Sequence, residues 1–314
     1  MYSTIATPFD PHGFQSRVYA GDILRFGQQP AMAALVDFTR DLLEARLHPH
    51  CPQEIHLHLS HARQAQCFAQ CQQEFARSTD VQRLWRELLE GLGFAAERLA
   101  CDRLHLRFQP HQDAGREAPR ARTTATIAFH RDTWGSNLYG QTNWWAPIYP
   151  ISSERTFAIY PGLWRQPLPN TSAAFDMQAI LQRSHRNGRN SVDADEAIPH
   201  LIGQPGEVGV PVLLEPGELI AFSGAHAHAG VGNNSGLTRI SFETRTLLIE
   251  DLLDGLGAPN VDGHAPWMTP GLFRRLSDGK RLDELLGLGF IEPYVAPCEG
   301  PLGVRSWANE GSRS

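Results

Sequence analysis

Phe129-His130-Arg131-Asp132-Thr133-Trp134 is the stretch on which the chain turns. His130 and Asp132 stand two apart, so in an extended strand both side chains point to one face and Arg131 to the other. An imidazole and a carboxylate then converge, and a metal bound there needs another ligand from elsewhere in the chain. Phe222-Ser-Gly-Ala-His226-Ala-His228-Ala-Gly230 offers two candidates. Both imidazoles fall on the same face of an extended segment, so periodicity leaves either as the distal ligand.

Two His and one carboxylate, with the remaining positions open, form the facial triad suited to non-haem Fe(II). Arg239 follows His228 by eleven residues and Ser241 comes two later. A guanidinium there is a planar fork able to clamp a carboxylate bidentately. A bare His-x-Asp is common in strands that bind nothing. Its weight comes from coinciding with a Gly-flanked His pair and an Arg at fixed spacing.

Around these residues the sequence resembles the Fe(II)- and 2-oxoglutarate-dependent oxygenases, in particular their phytanoyl-CoA-dioxygenase-like branch. The resemblance spans about residues 120 to 247. It is carried by His130-x-Asp132, Glu154-Arg-Thr-Phe-Ala-Ile-Tyr-Pro161-Gly162, Pro216-Gly-Glu-Leu-Ile-Ala-Phe222 leading to His228, and Asn233-Asn-Ser-Gly-Leu-Thr-Arg239-Ile-Ser241. It implies a mainly β fold with flanking α, built on a double-stranded β-helix of jelly-roll or cupin-like type. It also selects His228 over His226, because the family's distal ligand lies about eleven residues before the Arg. Fe(II) is then expected on His130, Asp132 and His228, with 2-oxoglutarate as cosubstrate reaching Arg239 and Ser241, and O2 as oxidant. The implied activity is dioxygenase chemistry, hydroxylation by default, on a small polar or amino-acid-like metabolite of the kind found in natural-product pathways. Asp132 argues against halogenation, which in this family replaces that carboxylate by a small residue. The rival class is a cupin-like metal-binding isomerase or a noncatalytic binding barrel, which has no need of a carboxylate clamp at Arg239.

Outward from the motif, Thr123–Phe129 is β-rich and leads into His130. Leu138–Ile151 reads as the next strand, with Gln141, Asn143 and Trp145 on one face and Thr142, Trp144 and Ala146 on the other. Which face looks inward stays open; if the first, Gln141 and Asn143 are cosubstrate- or substrate-binding groups. Residues 162–210 are a long polar insertion whose Arg165, Arg183, Arg186 and Arg189 either recognise an anion or are simply solvated. Short strands are expected at Thr156–Pro161, Val212–Leu214, Leu219–Ser223 and Arg239–Ile249, with a tight reversal at Glu215–Glu218.

Upstream, residues 17–26 read as a strand broken at Gly21-Asp22. Helices are expected from Pro30, over Arg63–Arg77 and over Thr79–Leu92, then a strand at Leu104–Phe108 and a polar loop over 109–122. Between His48 and Cys71 five His and three Cys crowd together, but no CxxC pair occurs and Cys67 and Cys71 sit one helical turn apart. Buried thiols and surface imidazoles describe them better than a zinc site. Beyond about Asp251, helical and loop cover is expected, including a helix over Arg275–Leu286. No repeat or linker divides the chain. One domain is expected over 1–314: a mainly helical flank (1–103), a β core with the insertion (104–249) and a cover (250–314).

Composition is ordinary for a globular protein, 41% hydrophobic and 20% charged over 314 residues. The net charge of −6 disfavours a nucleic-acid partner. No apolar run reaches bilayer-spanning length and the first residues lack a signal-peptide pattern, so no membrane partner is expected. Five Cys without a dense framework fit reduced thiols in the cytoplasm. The partner expected is a small-molecule substrate, and oligomeric state is not written in the pattern.

Overall fold

The computed structural model describes residues 3–5, 10–112, 124–187, 192, 196–266 and 268–287. In chain order the elements are β1 (Ser3–Ile5), α1 (Pro11–Ala20), β2 (Leu24–Phe26), α2 (Pro30–Leu47), α3 (His61–Arg77), α4 (Thr79–Gly91), β3 (Leu99–Cys101) and β4 (His105–Gln109). There follow α5 (Thr133–Ser136), β5 (Thr142–Pro147), β6 (Phe157–Ile159), α6 (Met177–Asn187), β7 (Val210–Pro211), β8 (Leu219–Ser223), β9 (His228–Gly230) and β10 (Arg239–Leu248). The last are α7 (Ile249–Asp254), β11 (Arg274–Arg275) and α8 (Leu282–Leu285).

Strands form the centre. A large sheet runs β1-β2-β8-β5-β10-β3-β11, with β4 also paired to β10, and a small sheet runs β7-β6-β9. The two faces of the large sheet are told apart by what they bury. Trp144, Ala221, Ile240 and Phe242 join the main core beneath α1 to α4. Trp145, Ile220 and Phe222 look the other way, against Phe157 and Ile159 of the small sheet. β5 is buried along its whole length because both faces are covered. Trp144 is its anchor on the helical side, stacked on Phe14 at 5.5 Å and donating from Nε1 to Thr246 Oγ1 at 2.8 Å.

The helical flank follows from local chemistry. Pro30 opens α2, whose buried Met32, Leu35, Val36, Thr39, Leu43 and Leu47 make one apolar stripe. Ser78 serves two helices at once: its N–H donates to the last carbonyls of α3, and its hydroxyl accepts from Val81 N to start α4. The Glu215–Glu218 reversal is present, closed by Glu218 N donating to Glu215 O at 3.0 Å, with Gly217 at φ +95°. Among the described residues no helix is long and apolar enough to cross a membrane.

Several expectations need correction. Residues 17–20 end helix α1, which Asp10 caps and Gly21 closes at φ +100°, so only 24–26 remain as strand. Gly21 has a second reason to be glycine, since a Cβ there would meet the Trp164 ring at 2.5 Å. The β-rich run 124–129 forms no strand; it lacks a continuous ladder, meeting β9 through Gly230 N donating to Ile127 O at 2.8 Å and, just after it, through the isolated bridge His130↔His228. The fifth strand begins at Thr142, not Leu138, and the strand expected at Val212–Leu214 lies at Val210–Pro211. Arg275–Leu286 holds β11's last residue and the one-turn α8 rather than a single helix. Arg189, most of the 109–122 loop and the chain beyond 287 lie outside the described residues.

Candidate metal centre

The single bridge at His130 is what builds the site. His130 N donates to His228 O at 3.0 Å and His228 N donates back to His130 O at 2.9 Å. The two imidazoles are therefore cross-strand neighbours, with ring centroids 4.2 Å apart. Each ring is oriented from behind: Nδ1 of His130 lies 2.8 Å from Ala128 O, and Nδ1 of His228 lies 2.9 Å from His226 O. With the Nδ1 protons donated to those carbonyls, both Nε2 atoms keep their lone pairs toward the centre.

Asp132 completes the group. The chain turns into α5 directly after it, so the carboxylate faces His130 Nε2 at 3.8 Å and His228 Nε2 at 3.7 Å. The candidate ligand atoms of His130, Asp132 and His228 all lie within 4.8 Å of one another. Among the described residues it is the one group of three or more His, Cys, Asp or Glu close enough to share an ion.

Burial pushes the Asp132 carboxyl up, but the facing imidazoles of His228 and His130, with Arg245 and Asn143, outweigh it and hold it below the ordinary range. Burial, reinforced by His228, pulls His130 down to about 4, against the opposing pull of Asp132. At neutral pH the group is thus a carboxylate and a neutral imidazole beside His228, the protonation a divalent cation requires.

The Gln141-Asn143-Trp145 face of β5 looks inward. Asn143 Nδ2 donates to Asp132 Oδ2, and Gln141 Nε2 donates to Asn143 Oδ1 at 2.8 Å. These two amides form a relay behind the carboxylate, and Gln141 is fully buried. Gly224, in the turn after β8, packs on the relay; a Cβ there would meet Gln141 Nε2 at 2.8 Å and Asp132 Cβ at 3.4 Å.

Arg239 and Ser241 sit on β10 with side chains on the same inward face. Arg239 donates from Nη1 to Thr156 O at 2.7 Å, while its Nε and the Ser241 hydroxyl are buried with no hydrogen-bond partner among the described residues. Burial lowers Arg239 to about 10, which leaves it a cation at neutral pH. Two orphaned buried donors side by side are expensive unless something accepts from them. A carboxylate is the group that fits both.

His226 does not join the triad. It lies in the turn before β9, 1% exposed, stacked on Trp164 at 4.3 Å with Nε2 at 3.1 Å from Gly21 O. It acts on the site through its carbonyl, which holds His228. The insertion's Arg165, Arg183 and Arg186 are exposed, and Arg183 pairs with Glu196.

Three groups of residues near the triad escape the motif. Arg131, 1% exposed, donates to Ala225 O, Leu163 O and Gln166 O and lies 3.1 Å from Asp262, tying the insertion and the 262 loop to the ligand turn. Arg245 bridges Asp102 and Asp132. Arg107 and Glu243 pair across β4 and β10. The signal for the last two was present: Arg239, Ser241, Glu243 and Arg245 are polar at every second position of a buried strand.

No family model and no curated protein matches the chain. Among solved structures it is similar to EvdO2 from Micromonospora carbonacea var. aurantiaca, at 14% identity over 78% of this chain and 94% of that chain, TM-score 0.44. A second is the epimerase SnoN in complex with Fe3+, alpha ketoglutarate and nogalamycin RO, at 16% identity over 76% and 85%, TM-score 0.40. A third is the non-heme monooxygenase ThoJ, at 14% identity over 71% and 72%, TM-score 0.40.

Proposed function

We propose that the protein is an Fe(II)- and 2-oxoglutarate-dependent oxygenase of the phytanoyl-CoA-dioxygenase-like branch, its two sheets forming a double-stranded β-helix, and that it hydroxylates a small polar or amino-acid-like metabolite. The observation that carries this is the convergence of His130, Asp132 and His228 together with a pair of unanswered buried donors on Arg239 and Ser241. A metal-binding barrel without the cosubstrate would leave those donors without a purpose.

The bound Fe(II) and 2-oxoglutarate would supply the oxidising power, O2 being consumed as 2-oxoglutarate loses CO2 to give succinate and the substrate gains a hydroxyl. The chain's own part is positional. His130, Asp132 and His228 would hold the metal. Asn143, backed by Gln141, fixes the rotamer of Asp132. Arg239 and Ser241 orient the distal carboxylate of the cosubstrate. Phe222 and Phe157, with ring centroids 5.5 and 6.3 Å from that of His228, keep water from one side of the site.

The test is Arg239→Ala. Removing the charged partner of a buried carboxylate typically costs about 3–5 kcal/mol, roughly two to three decades or more in affinity. Titration of 2-oxoglutarate into the anaerobic Fe(II) protein should show that loss while iron content stays unchanged. An unaltered 2-oxoglutarate affinity would remove the clamp and with it this activity.

A further inference from the structure

The proposed chemistry uses the triad, its amide relay, Arg239 and Ser241. It leaves Arg107 and Glu243 without a role, though both sit on the same inner face. Register places them there: Arg107 opposes Ser241, Glu243 opposes both His105 and Trp145, and Arg245 opposes Asn143, the amide that holds Asp132. Their side chains are not sealed. Glu243 is 27% exposed and Arg107 18%, beside Asp132 at 17% and His228 at 14%, so solvent reaches the pair and the triad alike.

An ion pair serving structure alone would be closed on itself, with the remaining lone pairs and protons satisfied. This one is lopsided. Arg107 directs Nε at 2.6 Å and Nη2 at 2.5 Å to the same oxygen, Oε1 of Glu243. Among the described residues Oε2 of Glu243 accepts no hydrogen bond, and Nη1 of Arg107 donates none. Arg107, His105 and Arg245 hold the Glu243 carboxyl down at about 2 against its burial, so the carboxylate is ionised at neutral pH. The pair thus leaves one acceptor of negative charge and one cationic donor without a partner among the described residues.

The surrounding charge narrows what can dock there. Three guanidinium groups, Arg107, Arg239 and Arg245, face three carboxylates, Asp102, Asp132 and Glu243. Fe(II) with dianionic 2-oxoglutarate adds nothing net, so the balance among these six side chains is kept. A substrate with a net charge would upset that balance beside side chains only 14–27% exposed, where water screens charge less than in bulk. A dipolar, net-neutral molecule would not.

Resting on the oxygenase reading above, we propose that Arg107 and Glu243 form the substrate subsite, and that it takes the ammonium group of a free amino acid on Glu243 Oε2 and its carboxylate on Arg107 Nη1. The substrate is then a zwitterionic amino acid rather than an acylated, esterified or carrier-bound one.

Calorimetry on the anaerobic protein holding Fe(II) and 2-oxoglutarate tests this. The probes are the proteinogenic amino acids, simple β- and γ-amino acids, and the N-acetyl derivative of each. At least one free amino acid should bind, and its N-acetyl form should bind about tenfold more weakly or worse, the usual cost of losing a charge-assisted bond. Glu243→Gln should weaken the free amino acid by a similar factor and no longer discriminate against the acetylated form. The same variant should retain its 2-oxoglutarate affinity, which shows that its site is intact. Three results would overturn the proposal alone: no amino acid binding, binding indifferent to Glu243→Gln, or preference for the acetylated form. Failure of 2-oxoglutarate to bind the wild-type protein would instead bring down the oxygenase reading, and the subsite with it.

Discussion

His226 and His228 are two residues apart, yet their backbones give them different work. His228 begins a strand, pairs with His130 and presents Nε2 to Asp132. His226 is still in the turn, and its ring is stacked against Trp164. His228→Ala, like His130→Ala or Asp132→Ala, is expected to abolish Fe(II) retention. His226→Ala keeps the carbonyl that holds His228, so a loss of about 10–100-fold in affinity is the ceiling. Iron analysis after anaerobic reconstitution and desalting separates the two. Iron held by His228→Ala but not by His226→Ala would reverse the assignment. At this scale the sequence was legible for what spacing decides: the structure brings the side chains of His130, Asp132 and His228 together. The choice between the two histidines was not legible from periodicity, because it depends on where a turn ends and a strand begins.

At the scale of elements, the site is written most plainly in β10. Arg239, Ser241, Glu243 and Arg245 alternate with Ile240, Phe242, Thr244 and Thr246, so a slip of one residue would exchange the polar row for the one packed under the helices. A helix with a proline start was readable locally, as α2 shows. The run 124–129 was misleading because β propensity says nothing of a partner, and pairing is decided by distant residues. The turn between β8 and β9 carries a constraint that no local rule exposes: Gly224 is pressed against Gln141. Gly224→Ala should displace that amide, release Asn143 from Asp132 and weaken metal binding about 10–100-fold. Titration with Co(II), followed by its visible absorption, measures this alongside Gln141→Ala, which should show a loss of the same size. Wild-type affinity in Gly224→Ala would mean the amide relay does not matter to the metal.

Over the whole molecule, the layering of helices, large sheet and small sheet buries imidazoles that must stay neutral. Burial holds His226 down at about 3 and His130 at about 4. Both lie below the unfolded value of about 6.5, so the unfolded chain takes up protons first as the medium acidifies. Their contribution to stability is therefore full above pH 6.5 and is lost as pH falls toward 4 and 3. By pH 5 His226 has lost about 2 kcal/mol, at roughly 1.36 kcal/mol per unit, and His130 shifts stability in the same direction. Urea unfolding of the metal-free protein should therefore show lower stability at pH 5.0 than at pH 7.5. His226→Gln should show a smaller drop. Equal stability at the two pH values would mean these imidazoles are not sequestered as described. The layers also explain why the pairing of Arg131 with Asp262 was not legible in the sequence, since the two meet only once distant segments have folded together. The mutual hydrogen bonds between His130 and His228 act like the locked jaws of a caliper. The span between the two imidazoles is set by peptide groups, which every substitution but proline leaves in place. The pocket around them can therefore be recut for a different molecule without resetting the gauge.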